Sequence, residues 1–280
     1  MLATRFGRSH SSAVRTAPLS NAEIARVAPS VMAEAAHTSR SDRYTYIPTV
    51  QVLDALRREG FEPFAAYQGN VRDDSRREFT KHMLRLRHVR DIERGAQVGA
   101  TVNEIILLNS HDGSTSYQMM AGCFRFVCAN GMVIGDTSHD VRVRHSGDVV
   151  TNVIEGAYEV LDHFDTVTES RERMQAIQMD REEQSLFARS ALMLKYDDPD
   201  AAPIRAEQLN RPRRVQDTGT DLWSAFNRVQ EAVVRGGLPG QSASGRRMRT
   251  REIKGISENI QVNRALWALA EGMAKLKAQG

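Results

Sequence analysis

Three short polar stretches carry the residue types that do acid–base or metal chemistry. His111-Asp112-Gly113 stands between two apolar segments, His139-Asp140 follows, and His145 closes the group. Imidazole nitrogens and carboxylates at strand ends are donors that zinc or a similar metal accepts. The spacing is not that of a metal motif, because the chain has no HxH, HExxH or CxxC. Turn chemistry alone accounts for Asp112-Gly113. No metal and no cofactor is therefore assigned. His111, Asp112, His139 and His145 are the candidates of an enzyme reading. Cys123 and Cys128 are five positions apart, which puts them on opposite faces of a regular strand. They read as small buried hydrophobes, and a Cys–His nucleophile pair stays open because its members meet in space.

A second kind of chemistry is phosphate binding. Gly240-Gln-Ser-Ala-Ser-Gly245 has the glycine spacing of a phosphate loop but lacks the Lys and the Ser/Thr that reach phosphate and magnesium. It also follows a helix where that motif needs a strand. A nucleoside triphosphatase is excluded. What remains is a mobile loop running into Arg246, Arg247, Arg249 and Arg251, able to close on phosphates with backbone amides and guanidinium forks. Two strands add basic faces. Lys81, Arg85 and Arg87 alternate on one, and Arg142 and Arg144 on another. If those strands are neighbours they form a basic sheet surface. Tyr117, Phe124 and Phe126 are available there for base stacking, or else for the core.

These residues belong to a chain of 280, with 41% hydrophobic and 26% charged residues, the composition of a globular protein. No apolar run is long enough for a membrane helix, and two cysteines cannot staple such a chain. The formal charge is +3, but Ile204–Lys254 holds eleven basic and five acidic residues, a local +6 that leaves −3 elsewhere. A basic segment on an acidic body points to a polyanion partner. Residues 1–20 carry Arg5, Arg8 and Arg15 and no acid, without the apolar stretch of a secretion signal. The protein reads as cytoplasmic, with reduced cysteines.

The positioning elements follow from pattern. Ser20-Asn-Ala-Glu23 is a capping box that starts a helix disturbed at Pro29. Thr49 caps a second helix that Gly60 stops, and Phe61–Gln68 is a strand. His82, Leu84, Leu86 and His88 alternate with Lys81, Met83, Arg85 and Arg87. Glu104–His111 and Ser114–Ala129, the latter bent at Gly122, are joined by a tight Asp112-Gly113 hairpin, and Asn130-Gly131 marks another. Residues from about 79 to 145 thus form an antiparallel β-meander. From Val153 the period becomes helical, with an amphipathic helix at Asp221–Arg235, a flexible glycine-rich loop at 236–245 and a last helix at Asn259–Lys277. The fold class is α+β, a meander followed by a helical C-terminal half. Residues 1–40 form a partly disordered arm with a short helix. Residues 41–280 form one domain, β-rich over 41–150 and helical over 151–280.

Leu108-Asn-Ser-His-Asp-Gly-Ser114, Gly122-Cys-Phe-Arg-Phe-Val-Cys-Ala-Asn-Gly131 and Asp221-Leu-Trp…Asn227…Gln230-Glu231…Gly236-Gly237 are together specific. The last continues into Gly245-Arg…Arg249-Thr-Arg251 and Asn263…Leu266-Trp267. Residues 40 to 275 resemble the phage/plasmid-like family catalogued as domain of unknown function 932. The resemblance implies a mobile-element protein of bacterial cytoplasm and carries over no catalytic residue. A meander, later helices and basic faces also look loosely like single-strand annealing proteins of the RecT/Red-beta type, by architectural analogy alone.

The leading expectation is an accessory protein of a phage or plasmid that binds nucleic acid, single-stranded DNA above all, in annealing or recombination. Lys81, Arg85, Arg87, Arg142 and Arg144 would hold the strand, with Arg246, Arg247, Arg249 and Arg251 closing on phosphates. The alternatives are a metal-dependent enzyme acting on nucleic acid and a protein-binding module that blocks a host factor. Self-association is left open, and no membrane partner is expected.

Overall fold

The computed structural model describes residues 11–37, 46–70, 74–92, 101–125, 132–133, 140–145, 147–196 and 198–279. Within it the chain divides into two units, Met1–Gly131 with Thr137–Phe164, and Met132–Asp136 with Asp165–Gly280. The main division falls at Phe164/Asp165, after the first helix that follows the strands.

The first unit is an antiparallel sheet with helices. Its strands are β1 (Ser11–Val14), β2 (Phe61–Gln68), β3 (His82–His88), β4 (Thr101–Asn109) and β5 (Tyr117–Arg125), each paired with the next. A two-residue strand, β6 (Met132–Val133), falls to the second unit. Strand β7 (Val141–Val143) pairs with β5. Residues 11–37 are built into this unit rather than set apart as an arm, since β1 is ladder-bonded to β2. Helix α1 (Asn21–Val27) begins in the expected capping box, and Pro29–Met32 continues as a 3-10 turn. Helix α2 (Thr49–Arg58) buries Val52, Leu53 and Leu56 and ends at Gly60, whose φ of 86° suits glycine. After a 3-10 turn at Asp74–Phe79 and β3 comes the short α3 (Val89–Ile92). Helix α4 (Val149–Asp162) is capped by Asp148 and packs Val153 and Ala157 inward against β5 and β7. Its Gly156 lets it approach closely, for a Cβ there would run into the Met119 side chain.

Several local expectations change. Thr49 does not cap α2; Pro48 holds that position and the hydroxyl turns elsewhere. Asp112-Gly113 is not a two-residue hairpin. Strands β4 and β5 are joined by residues 110–116, where Ser110 Oγ accepts from Thr115 N at 2.9 Å and Asp112 Oδ1 from Ser114 N at 2.9 Å. Side-chain bonds of this kind compete with the ladder and open the turn. Gly122 does not bend β5, whose register with β4 runs unshifted. It leaves a slot for Phe124, whose ring would collide with a Cβ there. The Asn130-Gly131 turn, Phe126, Cys128 and His139 lie outside the described residues.

The second unit is helical: α5 (Phe164–Ala176, from Asp165 onward), α6 (Arg181–Met193), α7 (Ala206–Leu209), α8 (Leu222–Arg235) and α9 (Ile256–Lys277). Asp180 and Glu183 make a second capping box at α6. Trp223, Phe226 and Trp267 pack edge to face or stacked between α8 and α9. Helix α8 is not merely amphipathic, since every residue from Leu222 to Val234 is buried. Its polar side is tolerated because its groups find partners. Arg228 donates to the Asp217 and Gly219 carbonyls at 2.7 and 2.6 Å, and Gln230 to Asn263 at 2.8 Å. The glycine-rich segment is not a loose loop but a hairpin, β8 (Pro239–Gln241) with β9 (Arg247–Arg249). Among the described residues no helix is long and apolar enough to cross a membrane.

Candidate functional site

Two groups of side chains hold the chemistry, one in each unit. In the first unit a chain of hydrogen bonds runs through fully buried residues. Ser30 comes from the 3-10 turn, Thr49 from the start of α2, Gln68 from β2 and His82 from β3. Asn109 ends β4, and His111, 0% exposed, folds inward from the 110–116 connection because its N–H is tied to the Phe79 carbonyl at 2.9 Å. Tyr117 opens β5.

Donor arithmetic fixes the direction of this chain. His82 Nδ1 lies 2.9 Å from Ser30 Oγ and 3.2 Å from the Thr80 carbonyl. A carbonyl only accepts, so Nδ1 carries the hydrogen. Ser30 gives its own hydrogen to Gln68 Oε1 at 2.8 Å, and Gln68 Nε2 donates to the Arg77 carbonyl at 2.8 Å. His82 Nε2 is then bare and accepts from the Thr49 hydroxyl at 2.9 Å. Thr49 has spent its hydrogen, so its oxygen accepts from Asn109 Nδ2 at 3.0 Å and from His111 Nε2 at 3.1 Å. Tyr117 donates to the Ile47 carbonyl at 3.1 Å. His111 Nδ1 and Asn109 Oδ1 are buried with no hydrogen-bond partner among the described residues.

Burial, reinforced by repulsion from His111, lowers the pKa of His82 to about 3. Burial, then repulsion from His145, lowers that of His111 to about 4, with the Ser30 carbonyl pulling the other way. Both rings are neutral at pH 7, as the tautomer assignment requires. His145 is half-buried, its ring centroid 5.1 Å from that of Tyr117, and burial lowers its pKa as well. Asp112 shapes the turn through its bond from Ser114 N. His111, Asp112 and His145 are thus near one another but gather no metal shell. Among the described residues no three His, Cys, Asp or Glu side chains are arranged to hold a metal ion.

The expected basic sheet surface divides in two. Arg85 and Arg87 are each 4% exposed and clamp Glu104, itself 0% exposed, through Nε atoms at 2.5 and 2.6 Å. Arg85 lies over the Phe124 ring, 3.3 Å from its centroid, and Arg87 over Phe64 at 4.1 Å. Burial opposes the Arg85 charge, but Glu104 and Tyr67 more than restore it, while burial prevails at Arg87. These two arginines are therefore engaged inside the fold and present no free guanidinium to a phosphate. Phe124 is core, not a stacking platform. Lys81 is half-buried just before β3, while Arg142 and Arg144 are exposed on and after β7.

In the second unit all four remaining arginines are exposed. Strand β9 carries Arg247 and Arg249, flanked by Arg246 and Arg251. Among the described residues Arg246, Arg247, Arg249 and Arg251 make no ion pair with a carboxylate. Two amides of the turn close the turn itself: Ser242 N bonds Arg246 O at 2.9 Å and Gly245 N bonds Ser242 O at 2.8 Å. The base of the hairpin gathers more cations at the end of α8. Arg213 donates to the Gly236 carbonyl at 2.6 Å and Arg249 to Gly237 at 2.9 Å. Arg214 and Arg235 share Glu231 at 3.0 and 2.8 Å. A helix C-terminus favours cations there. Sequence reading missed Arg213, Arg214 and Arg235, whose signal was the local charge excess, and Ser30, Thr49, Gln68 and Asn109, whose signal was polarity among apolar neighbours.

A sequence model of a domain of unknown function, DUF932, matches residues 36–267. The chain is 50% identical over 272 residues to the UPF0380 protein YafZ of Escherichia coli (strain K12), with 97% of each chain covered. It is also 50% identical over 270 residues to the UPF0380 protein YfjQ of the same organism, with 96% of each covered. No solved structure matches.

Proposed function

The chain belongs to the DUF932 family, a domain of unknown function, and from that premise we propose that it binds nucleic acid through the arginine hairpin of its C-terminal unit. The observation that carries this reading is the set of exposed arginines on and beside β9, unpaired with carboxylates among the described residues, next to further guanidiniums at the end of α8. Strand alternation puts Arg247 and Arg249 on one face, about 6.6 Å apart along the strand. That matches the interval between successive phosphates of an extended nucleic acid strand. Guanidinium forks contact such phosphates in pairs and release counterions as they do so.

The assigned ligand is single-stranded DNA, handled in annealing or recombination in a bacterial cytoplasm. Arg85 and Arg87 drop out of the interface, and Arg142 and Arg144 remain only as exposed charges of the other unit. The test is fluorescence anisotropy of a labelled single strand with protein freed of nucleic acid, at two salt concentrations. Binding should weaken steeply with salt, and Arg247→Ala with Arg249→Ala should lower the salt slope by about two, one for each guanidinium removed. Affinity indifferent to salt, or to both substitutions, overturns the reading.

A further inference from the structure

A groove of about 790 Å³ opens beside the hairpin, in the same unit. One wall is β8 and its turn, the other the segment from Pro199 to Gln208. This groove is built rather than incidental. Gln241 N bonds the Pro203 carbonyl at 2.9 Å. Gln208 reaches across with Nε2 to the Pro239 carbonyl at 2.8 Å, while its Oε1 accepts from Arg205 N at 2.8 Å. Gly240 presses so closely that a Cβ would overlap the Pro203 oxygen. The two walls are stapled at a fixed separation.

The register of the hairpin links groove to ridge. Gln241 lines the groove, and its cross-strand partner is Arg247. Directly paired residues of a hairpin share a face, with Cβ atoms about 5 Å apart. Gly240, at the alternate position, presses on Pro203, so Gln241 and Arg247 stand on the opposite face of the hairpin, and a phosphate held by Arg247 reaches the groove mouth around the β8 edge, a path within the reach of a single nucleotide. Inside, Leu192 and Ile204 give apolar surface, while Arg189, Arg205, Gln241 and Ser242 give donors and acceptors. That mixture suits the face and edge of a base and the hydroxyls of a sugar.

We propose that this groove receives the base and sugar of one unpaired nucleotide whose phosphate lies on Arg247. The inference rests on the nucleic-acid reading and sharpens it: a duplex keeps its bases stacked inside, so only an unpaired nucleotide enters.

The experiment compares the full-length protein's affinity for a labelled oligothymidylate with that for an abasic phosphodiester strand of equal length. Equal salt slopes with about ten-fold or more tighter binding of the base-bearing strand are expected, the usual magnitude for an ordered base contact. Ala201→Trp, on an exposed groove-lining position, should erase that preference and leave abasic binding unchanged. Equal affinity for both strands, or a preference that survives Ala201→Trp, overturns the groove proposal while the phosphate reading stands. Failure to bind either strand overturns both.

Discussion

Arg85-Leu-Arg87 on β3 and Arg247-Met-Arg249 on β9 are the same pattern in two settings. In each, two guanidiniums project from alternate positions of a strand. Strand β3 lies inside a many-stranded sheet and faces Glu104 of β4, so its arginines fold over aromatic rings and clamp one carboxylate. Strand β9 belongs to a two-stranded hairpin whose partner, Pro-Gly-Gln, offers no acid. Its arginines stay in water. The strand's neighbours, not its own residues, decide whether an Arg-x-Arg pair is structure or interface.

The largest expected effect separates the two regions by pH. His82 and His111 have folded pKa values of about 3 and 4, below the ordinary 6.5. Between those limits the unfolded chain binds more protons, so stability is full above about pH 6.5 and falls as pH drops toward 4. Urea titrations at pH 7 and pH 4.5 should show a loss of several kcal/mol. Hydrogen exchange should place it in the first unit, with the hairpin amides indifferent. A flat profile would break the assignment of neutral buried rings.

Next comes Glu104→Gln, which leaves two buried guanidiniums without their anion. A cost of about 3–5 kcal/mol in chemical denaturation is expected. A cost under about 1 kcal/mol would mean the inner pair is as solvated as the outer one. Thr49→Val keeps the shape of the side chain but removes the hydroxyl shared by His82, His111 and Asn109. It should cost about 1–3 kcal/mol, read the same way. Smallest in stability are Arg247→Ala and Arg249→Ala, each within about 0.5 kcal/mol. They should instead change nucleic-acid affinity, while Glu104→Gln changes stability first. If either hairpin substitution unfolds the protein, the contrast between the two regions fails.

Much of the scaffold was legible because alternation and capping are local. The capping box at Ser20, the strands from 82 to 125 and α8 all follow from spacing within a few residues. The site was less so, because its partners are distant in sequence. Thr49 reads as a cap until His82 and His111, thirty-three and sixty-two residues on, claim its oxygen. His111 reads as a turn tip until Phe79 draws it inward. Arg228 and Glu231 read as the wet side of an amphipathic helix until Asp217, Gly219, Arg214 and Arg235 enclose them. The glycines of 236–245 signal freedom, yet Gly236 and Gly240 are required by crowding: a Cβ on Gly236 would meet the Arg251 oxygen at 2.5 Å.

The base of the arginine hairpin is closed by two backbone bonds, Gly237 N to Thr250 O at 2.8 Å and Thr250 N to Leu238 O at 2.9 Å. Everything beyond them hangs from a stem that is already complete. In engineering terms the segment is a cassette. Its tip at Ala243-Ser244 is exposed, and added length there costs only the slow logarithm of loop closure. A dye, a cleavage site or a relative's tip sequence can be inserted at that point without passing strain into α8, which makes the tip a natural handle for watching the protein engage a ligand.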